Sequence, residues 1–496
     1  MSGTVVENPM SHRAVDRADT LLSAHRQFGD STAIELRNVA RYRLGLTMLA
    51  RRDEASAPAL RAVAALDDER LRPLLFDPVL RNCFEDDMAR LENDVLEHSA
   101  LGAHFTRHPV DPASGGGTCE ALTHPMRRAW DAYGPAWILT GLRPRGESEE
   151  ALGKRLLELY RNAFEGREDA NPIDPDAPTR EGLRSGADLL VALMPHTGAS
   201  VLRHVALVGF TRGESAEGPL QSLSGGDPLP SAVLMAPERC ATPWLAAETL
   251  LHEGAHLKLF DALRSGSVVE DPDRRVPIPW RIDSWRVVRV FVALHFYVHM
   301  LVFQAASAAA DDTLRERFGA PPTAEDVDEP SPGTPAALEG TYRTSAERAR
   351  YLAGCALALP PGALTDNGRR FLGWLLDTLR LVLDDVPEGS VAPATVPDAT
   401  VADVPAGSLT RVEPVDACAL PELGQLVVAT AHSAKLHWLN RRSWAIYALC
   451  DGRDGASLRA AYAELAKLPA GSDTVAEQVA RSVEGLAAAG LITVGA

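Results

Sequence analysis

Apolar residues recur at spacings of three and four through the first third of the chain, as in ELRNVARYRLGLTMLARR (35 to 52). That period predicts that the first 165 residues are mainly helical. The run GREDANPIDPDAPTREGLRSG (166 to 186) breaks the pattern with polar and proline residues and reads as a long surface loop. Two short β-branched, apolar runs, HVALVGF (204 to 210) and SAVLMA (231 to 236), lie between Gly, Pro and Ser clusters and predict strands.

Helical periodicity returns after Thr242 and Pro243, a cap followed by a first-turn proline. It returns again at about 341 to 358 and 366 to 384, after an acidic, proline-bearing stretch at 319 to 340. The segment VPEGSVAPATVPDATVADVPAGS (386 to 408) holds four prolines and no aromatic residue, the composition of an extended linker. Beyond it, GQLVVATAHSAKLHWLN predicts two strands joined by a polar turn, followed by three helices. The expected organisation is therefore a large domain over 1–385, a linker over 386–408 and a small domain over 409–496. The fold class is α+β and mostly helical, the large domain carrying a few short strands. Three helices beside a hairpin describe a small winged helix-turn-helix domain.

Length and composition narrow the function classes. At 496 residues the chain can bury a substantial core, and its net charge of −17 argues against nucleic acid and anionic membrane as partners. Residues 409–496 carry eight Lys plus Arg against nine acidic residues, so the winged-helix pattern lacks the basic footprint of a DNA reader. An exposed strand in such a domain can instead capture an extended peptide by adding it to the sheet. Six scattered cysteines without a C-x-x-C pair fit reduced thiols, and the N-terminus lacks the pattern of a signal peptide, so a cytoplasmic location is expected. Residues 290 to 310 are nearly long enough to span a bilayer, but His295 and His299 sit among them, and a buried core helix is the better reading.

The candidate chemistry lies in ETLLHEGAHLKLFDAL (248 to 263). On a helix, His252 and His256 share a face one turn apart and can ligate one metal ion, with Glu253 within reach of a metal-bound ligand. Gly254, costly in a helix interior, predicts close approach by a backbone or ligand. A third ligand must come from elsewhere. The segment IPWRIDSWRVVRVFVALHFYVHM (278 to 300) offers His295 first, then His299, then Asp283. Arg281, Arg286 and Arg289 lie between the two histidine helices and Lys258 follows the motif; a basic residue here can be helix-surface charge or an anchor for a carboxylate near the metal. Histidine ligands suit iron and zinc alike.

Two stretches carry a resemblance. LNRRSWAIYALCDG (439 to 452) with the closing VEGLAAAGLI (483 to 492) resembles the PqqD-like fold, which recognises leader peptides of ribosomally made, modified peptides. LLHEGAHLKL (250 to 259) with PWRIDSWR (279 to 286) and the following histidine-bearing helix resembles the HExxH-motif peptide modification proteins, among them iron and 2-oxoglutarate dependent peptide β-hydroxylases. The resemblance implies that His252, His256 and His295 bind Fe(II), with Glu253 orienting a ligand or water. It implies that 2-oxoglutarate pairs with a basic residue, for which Arg286, Lys258 and Arg281 are the candidates. It further implies that a precursor peptide is the partner, its leader held along the strand that contains Lys435, Leu436, His437 and Trp438, while a core residue is hydroxylated at its β-carbon. Two other readings use the same residues. In one, a zinc metallopeptidase employs Glu253 as general base on zinc-bound water. In the other, the chain is a non-catalytic partner that only delivers a peptide.

Overall fold

The computed structural model describes residues 12–110, 127–130, 136–139, 147–164, 172–215, 218–281, 284–322, 342–360, 362–387, 404, 407–431, 433–469 and 471–495. Among them are seventeen α-helices and fifteen short strands, so the protein is mostly helical with small sheets, an α+β chain. Contacts group the chain into two compact units. One comprises residues 1–35, 76–82 and 118–394; the other comprises 36–75, 83–117 and 395–496. The grouping is discontinuous in sequence, whereas the sequence reading drew one cut at the 386–408 linker; most of that linker lies outside the described residues.

In the first unit a five-stranded sheet has the order Arg127–Trp130, Ala136–Leu139, Leu207–Phe210, Ala232–Met235, Ser222–Ser224. The second, third and fourth strands run parallel, with Leu207 opposite Ala232 and Phe210 opposite Met235. Both central strands are fully buried, which is why they read as continuous apolar runs. Ser222–Ser224 closes the sheet as an antiparallel edge, with Leu223 opposite Leu234.

The helix Pro243–Leu263, called here the motif helix, starts where Thr242 accepts a hydrogen bond from the Leu245 N–H and Pro243 occupies the first turn. It is apolar nearly all round, as a helix enclosed by its own domain must be. The helix Ala177–Leu193 packs closely along it: a Cβ on Gly186 would stand 2.4 Å from Cβ of Ala246. That helix begins inside the stretch expected to be a surface loop. Asp176 caps it by accepting from the Thr179 N–H, and a proline sits in its first turn, so the same D-x-P signal that looked like a loop is a helix start.

The helix Val287–Ala308, the paired-histidine helix, is long and apolar enough by length and composition to cross a membrane, but two thirds of its most apolar window is buried inside the protein. It is a core helix, as its two histidines suggested. The expected helices near 341–358 and 366–384 are Ser345–Leu357 and Asp366–Val382, each capped by a threonine.

In the second unit, two strands, Gln425–Thr430 and Ser433–Asn440, form the expected hairpin, and Asp416–Leu420 pairs on the other side of the first. Three helices follow, Arg441–Leu449, Gly455–Ala466 and Asp473–Ala488, capped by Asn440, Asp454 and Ser472. Their core is built from Ile446, Tyr447, Leu458, Val475, Val479 and Val483, closed on the sheet side by Leu426, Val428 and Leu439.

Candidate metal centre

The middle of the motif helix is sealed except along one stripe. His252, His256 and Phe260, spaced by four, are half-buried, while Glu253, Gly254, Ala255, Leu257, Lys258 and Leu259 are buried. The His252 and His256 ring centroids lie 5.1 Å apart, as one helical turn dictates. Phe296 of the paired-histidine helix covers both, at 4.1 Å from His252 and 5.8 Å from His256. Burial pushes both histidines down to about 4. Each is therefore a neutral imidazole at neutral pH, the form that ligates metal. His256 also has a buried Nδ1 without a hydrogen-bond partner.

Gly254 is explained by packing. A Cβ there would stand 3.2 Å from Cβ of Val201 and 3.3 Å from the Val201 carbonyl oxygen, so the helix Pro195–Leu202 approaches at the motif turn. The close approach expected from the sequence is made by a backbone.

Glu253 is held by the edge strand. Its Oε1 accepts the Ser222 hydroxyl over 2.7 Å, and Ser224 adds hydrogen bonds from its backbone and side chain. Burial raises the carboxyl pKa against those bonds, and His252 Nε2 lies 3.9 Å from Oε1. Neither serine was singled out from sequence, because a three-residue polar strand carries no period that would mark it.

The other predicted ligands sit differently. His295 is fully buried, with its ring 4.2 Å from that of His299 and 5.9 and 5.8 Å from Phe371 and Trp374. Neither of its ring nitrogens has a hydrogen-bond partner. The His299 Nδ1 lies 2.8 Å from the His295 carbonyl oxygen, so Nδ1–H donates and Nε2 is left with a free lone pair, unpartnered and buried. Burial drives His295 well below the ordinary imidazole range and His299 down to about 3, with His256 adding to both shifts. The structure thus forms two histidine pairs within electrostatic reach of each other. Among the described residues, no three His, Cys, Asp or Glu side chains converge as a ready ligand set. Asp283 lies outside the described residues.

The basic candidates separate by environment. Lys258 is fully buried without a hydrogen-bond partner, and desolvation pushes it down to about 7. Arg286 is exposed at the start of the paired-histidine helix, 3.3 Å from Asp273. Arg281 is half-buried in the preceding loop, and Arg289 lies over the Trp285 ring at 4.6 Å.

In the second unit, Lys435, Leu436, His437 and Trp438 all belong to Ser433–Asn440, which pairs on one side only among the described residues. Leu436 and Trp438 pack on a small core of Ala40, Leu44, Leu420 and Val427, so that face of the strand is covered. Lys435 is exposed; His437 is half-buried and its pKa is lowered by burial.

One arrangement escaped the sequence altogether. His204 Nδ1 bonds Asp261 Oδ2 at 2.5 Å and its Nε2 bonds the Ser31 hydroxyl at 2.9 Å, while Arg81 reaches Asp261 at 2.5 Å and Ser231 at 2.8 Å. The order Ser–His–Asp is that of a nucleophilic triad. Every member is buried, and Ser31 is further engaged with Ser200 at 2.6 Å, so the network fastens the far end of the motif helix rather than facing a substrate.

No family model matches the chain, and no curated protein is a significant match to it.

Proposed function

We propose that the protein is a metal-dependent peptide-modifying enzyme. The observation that carries this reading is the half-open His252–His256 pair, neutral at neutral pH on an otherwise sealed helix, with the intervening carboxyl group fastened to a sheet edge. The donor set fits a divalent transition metal, because the rings present free nitrogens in a buried setting. His252 and His256 would hold it, and the His295–His299 pair would supply a third ligand. His295 was the first choice from sequence. The His299 ring is the better prepared, since a ligating histidine commonly donates its other N–H to a carbonyl.

The resemblance to the HExxH-motif peptide modification proteins favours Fe(II) over zinc. With 2-oxoglutarate and O2, that metal supplies the oxidising power to hydroxylate a side-chain β-carbon. The chain's own part is to bind, orient and exclude water. Phe296 covers the histidine faces, and Glu253, fixed by Ser222 and Ser224, orients a ligand or water. The zinc-peptidase alternative asks Glu253 to take a proton from water. A carboxyl already engaged by two serines is less suited to that than a free one.

The C-terminal helices and sheet are read as a winged helix-turn-helix of the PqqD-like type. Its open edge at Ser433–Asn440 supports peptide capture by strand addition, with backbone bonds supplying affinity. Holding the leader of a precursor peptide there raises the effective concentration of the core segment, so weak binding at the metal centre suffices. Cytoplasmic location and the absence of nucleic-acid and membrane partners belong to the same proposal.

Loading the metal-free protein anaerobically with Co(II) tests the centre. One equivalent should bind with a visible ligand-field spectrum that is lost in His252→Ala and in His256→Ala. Unaltered binding in both variants overturns the assignment.

A further inference from the structure

The strand Ser222–Ser224 ends its sheet, and the hydrogen bonds around it show which backbone groups look outward. Its ladder to Ala232–Met235 is antiparallel, with Leu223 opposite Leu234. On either side of that pair, Ala236 N–H donates to the Gln221 carbonyl and Gly225 N–H to the Ala232 carbonyl. Residues of an antiparallel strand alternate between bonding the neighbour and facing away from it. Gln221, Leu223 and Gly225 therefore turn their backbone groups into the sheet, and Ser222 and Ser224 turn theirs out.

One of the outward groups is taken, because Ser224 N–H donates to the Glu253 carboxyl. The Ser222 N–H and the carbonyls of Ser222 and Ser224 have no partner among the described residues, and no described strand pairs on that side. The edge is also reachable. Ser222, Leu223 and Ser224 are all partly exposed, and Leu223 packs against the core that includes Leu207 and Leu234, so its flanking serines share the other face with Glu253.

An open edge is a template for extended backbone. Its position here gives it a use. A strand added to it would run about 4.8 Å from Ser222–Ser224. Ser222 Oγ lies 2.7 Å from Glu253 Oε1, which lies 3.9 Å from His252 Nε2, so the added strand would pass beside the histidine motif.

We propose that the core segment of the substrate peptide binds at Ser222–Ser224 as a sixth strand; this deepens the peptide-modifying reading above and rests on it. One peptide residue, opposite Ser222, donates its N–H to the Ser222 carbonyl and accepts from the Ser222 N–H. A second, two positions away, donates to the Ser224 carbonyl, while the Ser224 N–H stays with Glu253. These bonds read backbone alone. The edge accepts any residue opposite Ser222 except proline, which lacks the donor, and choice of the precursor falls to the leader.

Hydrogen–deuterium exchange of the full-length chain, with the whole precursor peptide and with its leader alone, tests this without turnover. The precursor should slow the Ser222 amide by about tenfold or more, and the leader alone should not. Amides of the bound core segment should slow with it. Ser222→Ala keeps the backbone N–H and should retain that core protection; Ser222→Pro removes the N–H at an edge position where proline is tolerated, and should abolish it. An unchanged Ser222 amide beside a protected Ser433–Asn440, or core amides equally protected by a folded Ser222→Pro, overturns the edge assignment and leaves leader binding standing. Protection at neither strand removes peptide binding and the edge assignment together.

Discussion

The Ser222 hydroxyl donates to Glu253 Oε1 over 2.7 Å, tying the central residue of the histidine motif to the antiparallel edge of the five-stranded sheet. The bond decides how the glutamate can act. A buried carboxylate deprived of one donor carries a desolvation cost of about 1–3 kcal/mol. Ser222→Ala should therefore lower stability by about that amount, and the loss should shrink when Glu253→Gln is added, because the two residues share one interaction. Thermal unfolding of the two single variants and the double variant checks this.

The buried network at the far end of the motif helix should respond more strongly. Arg81 and His204 both reach Asp261 at 2.5 Å, and removing one partner of a buried ion pair leaves the other uncompensated. Arg81→Met is expected to cost about 3–5 kcal/mol in denaturant unfolding. Ser31→Ala, at the edge of the network, should cost about 1 kcal/mol.

Acid should destabilise the metal-free protein in a defined window. His252 and His256 are pushed down to about 4 and His299 to about 3, below the ordinary histidine value near 6.5. Between those values the unfolded chain binds protons that the folded chain refuses, so stability rises with pH there. The contribution is full above about 6.5 and is lost as pH falls toward 4. Melting temperature measured from pH 7.5 to 5 in the presence of a chelator should fall, and the fall should be shallower in His299→Asn. A flat profile in wild type would count against neutral, buried imidazoles.

Metal-site variants should leave leader binding intact. If, as proposed, the leader binds along the strand Ser433–Asn440 and the metal at His252 and His256, the full-length His252→Ala, His256→Ala double variant should bind the precursor peptide with wild-type affinity by fluorescence anisotropy. A parallel loss of affinity would refute the division of labour.

Much of this was legible in the sequence, for physical reasons that differ from place to place. The strands Leu207–Phe210 and Ala232–Met235 announced themselves because burial on both faces leaves a continuous apolar run, whereas Ala136–Leu139, which pairs with Leu207–Phe210, was not read as a strand. Gly254 signalled close approach because nothing else excuses glycine in a helix interior, and Val201 provides it. The first part of the helix Ala177–Leu193, up to residue 186, was mistaken for loop because its cap and proline are also loop residues. Ser222, Ser224 and the His204–Asp261–Arg81 network left no trace, since each is assembled by the fold from residues distant in sequence. The two histidines of Val287–Ala308 were correctly placed on a buried helix. Sequence could not foretell that His299 would turn its Nδ1 to the preceding carbonyl.

The most direct measurement is intact mass spectrometry of the precursor peptide after incubation with the iron-loaded enzyme, 2-oxoglutarate and O2. The account predicts a gain of about 16 Da, one oxygen atom, that requires iron and 2-oxoglutarate and vanishes in His252→Ala. A peptide returned unmodified, or cleaved in a reaction that needs zinc and no 2-oxoglutarate, would contradict it; cleavage would give Glu253 the part of general base.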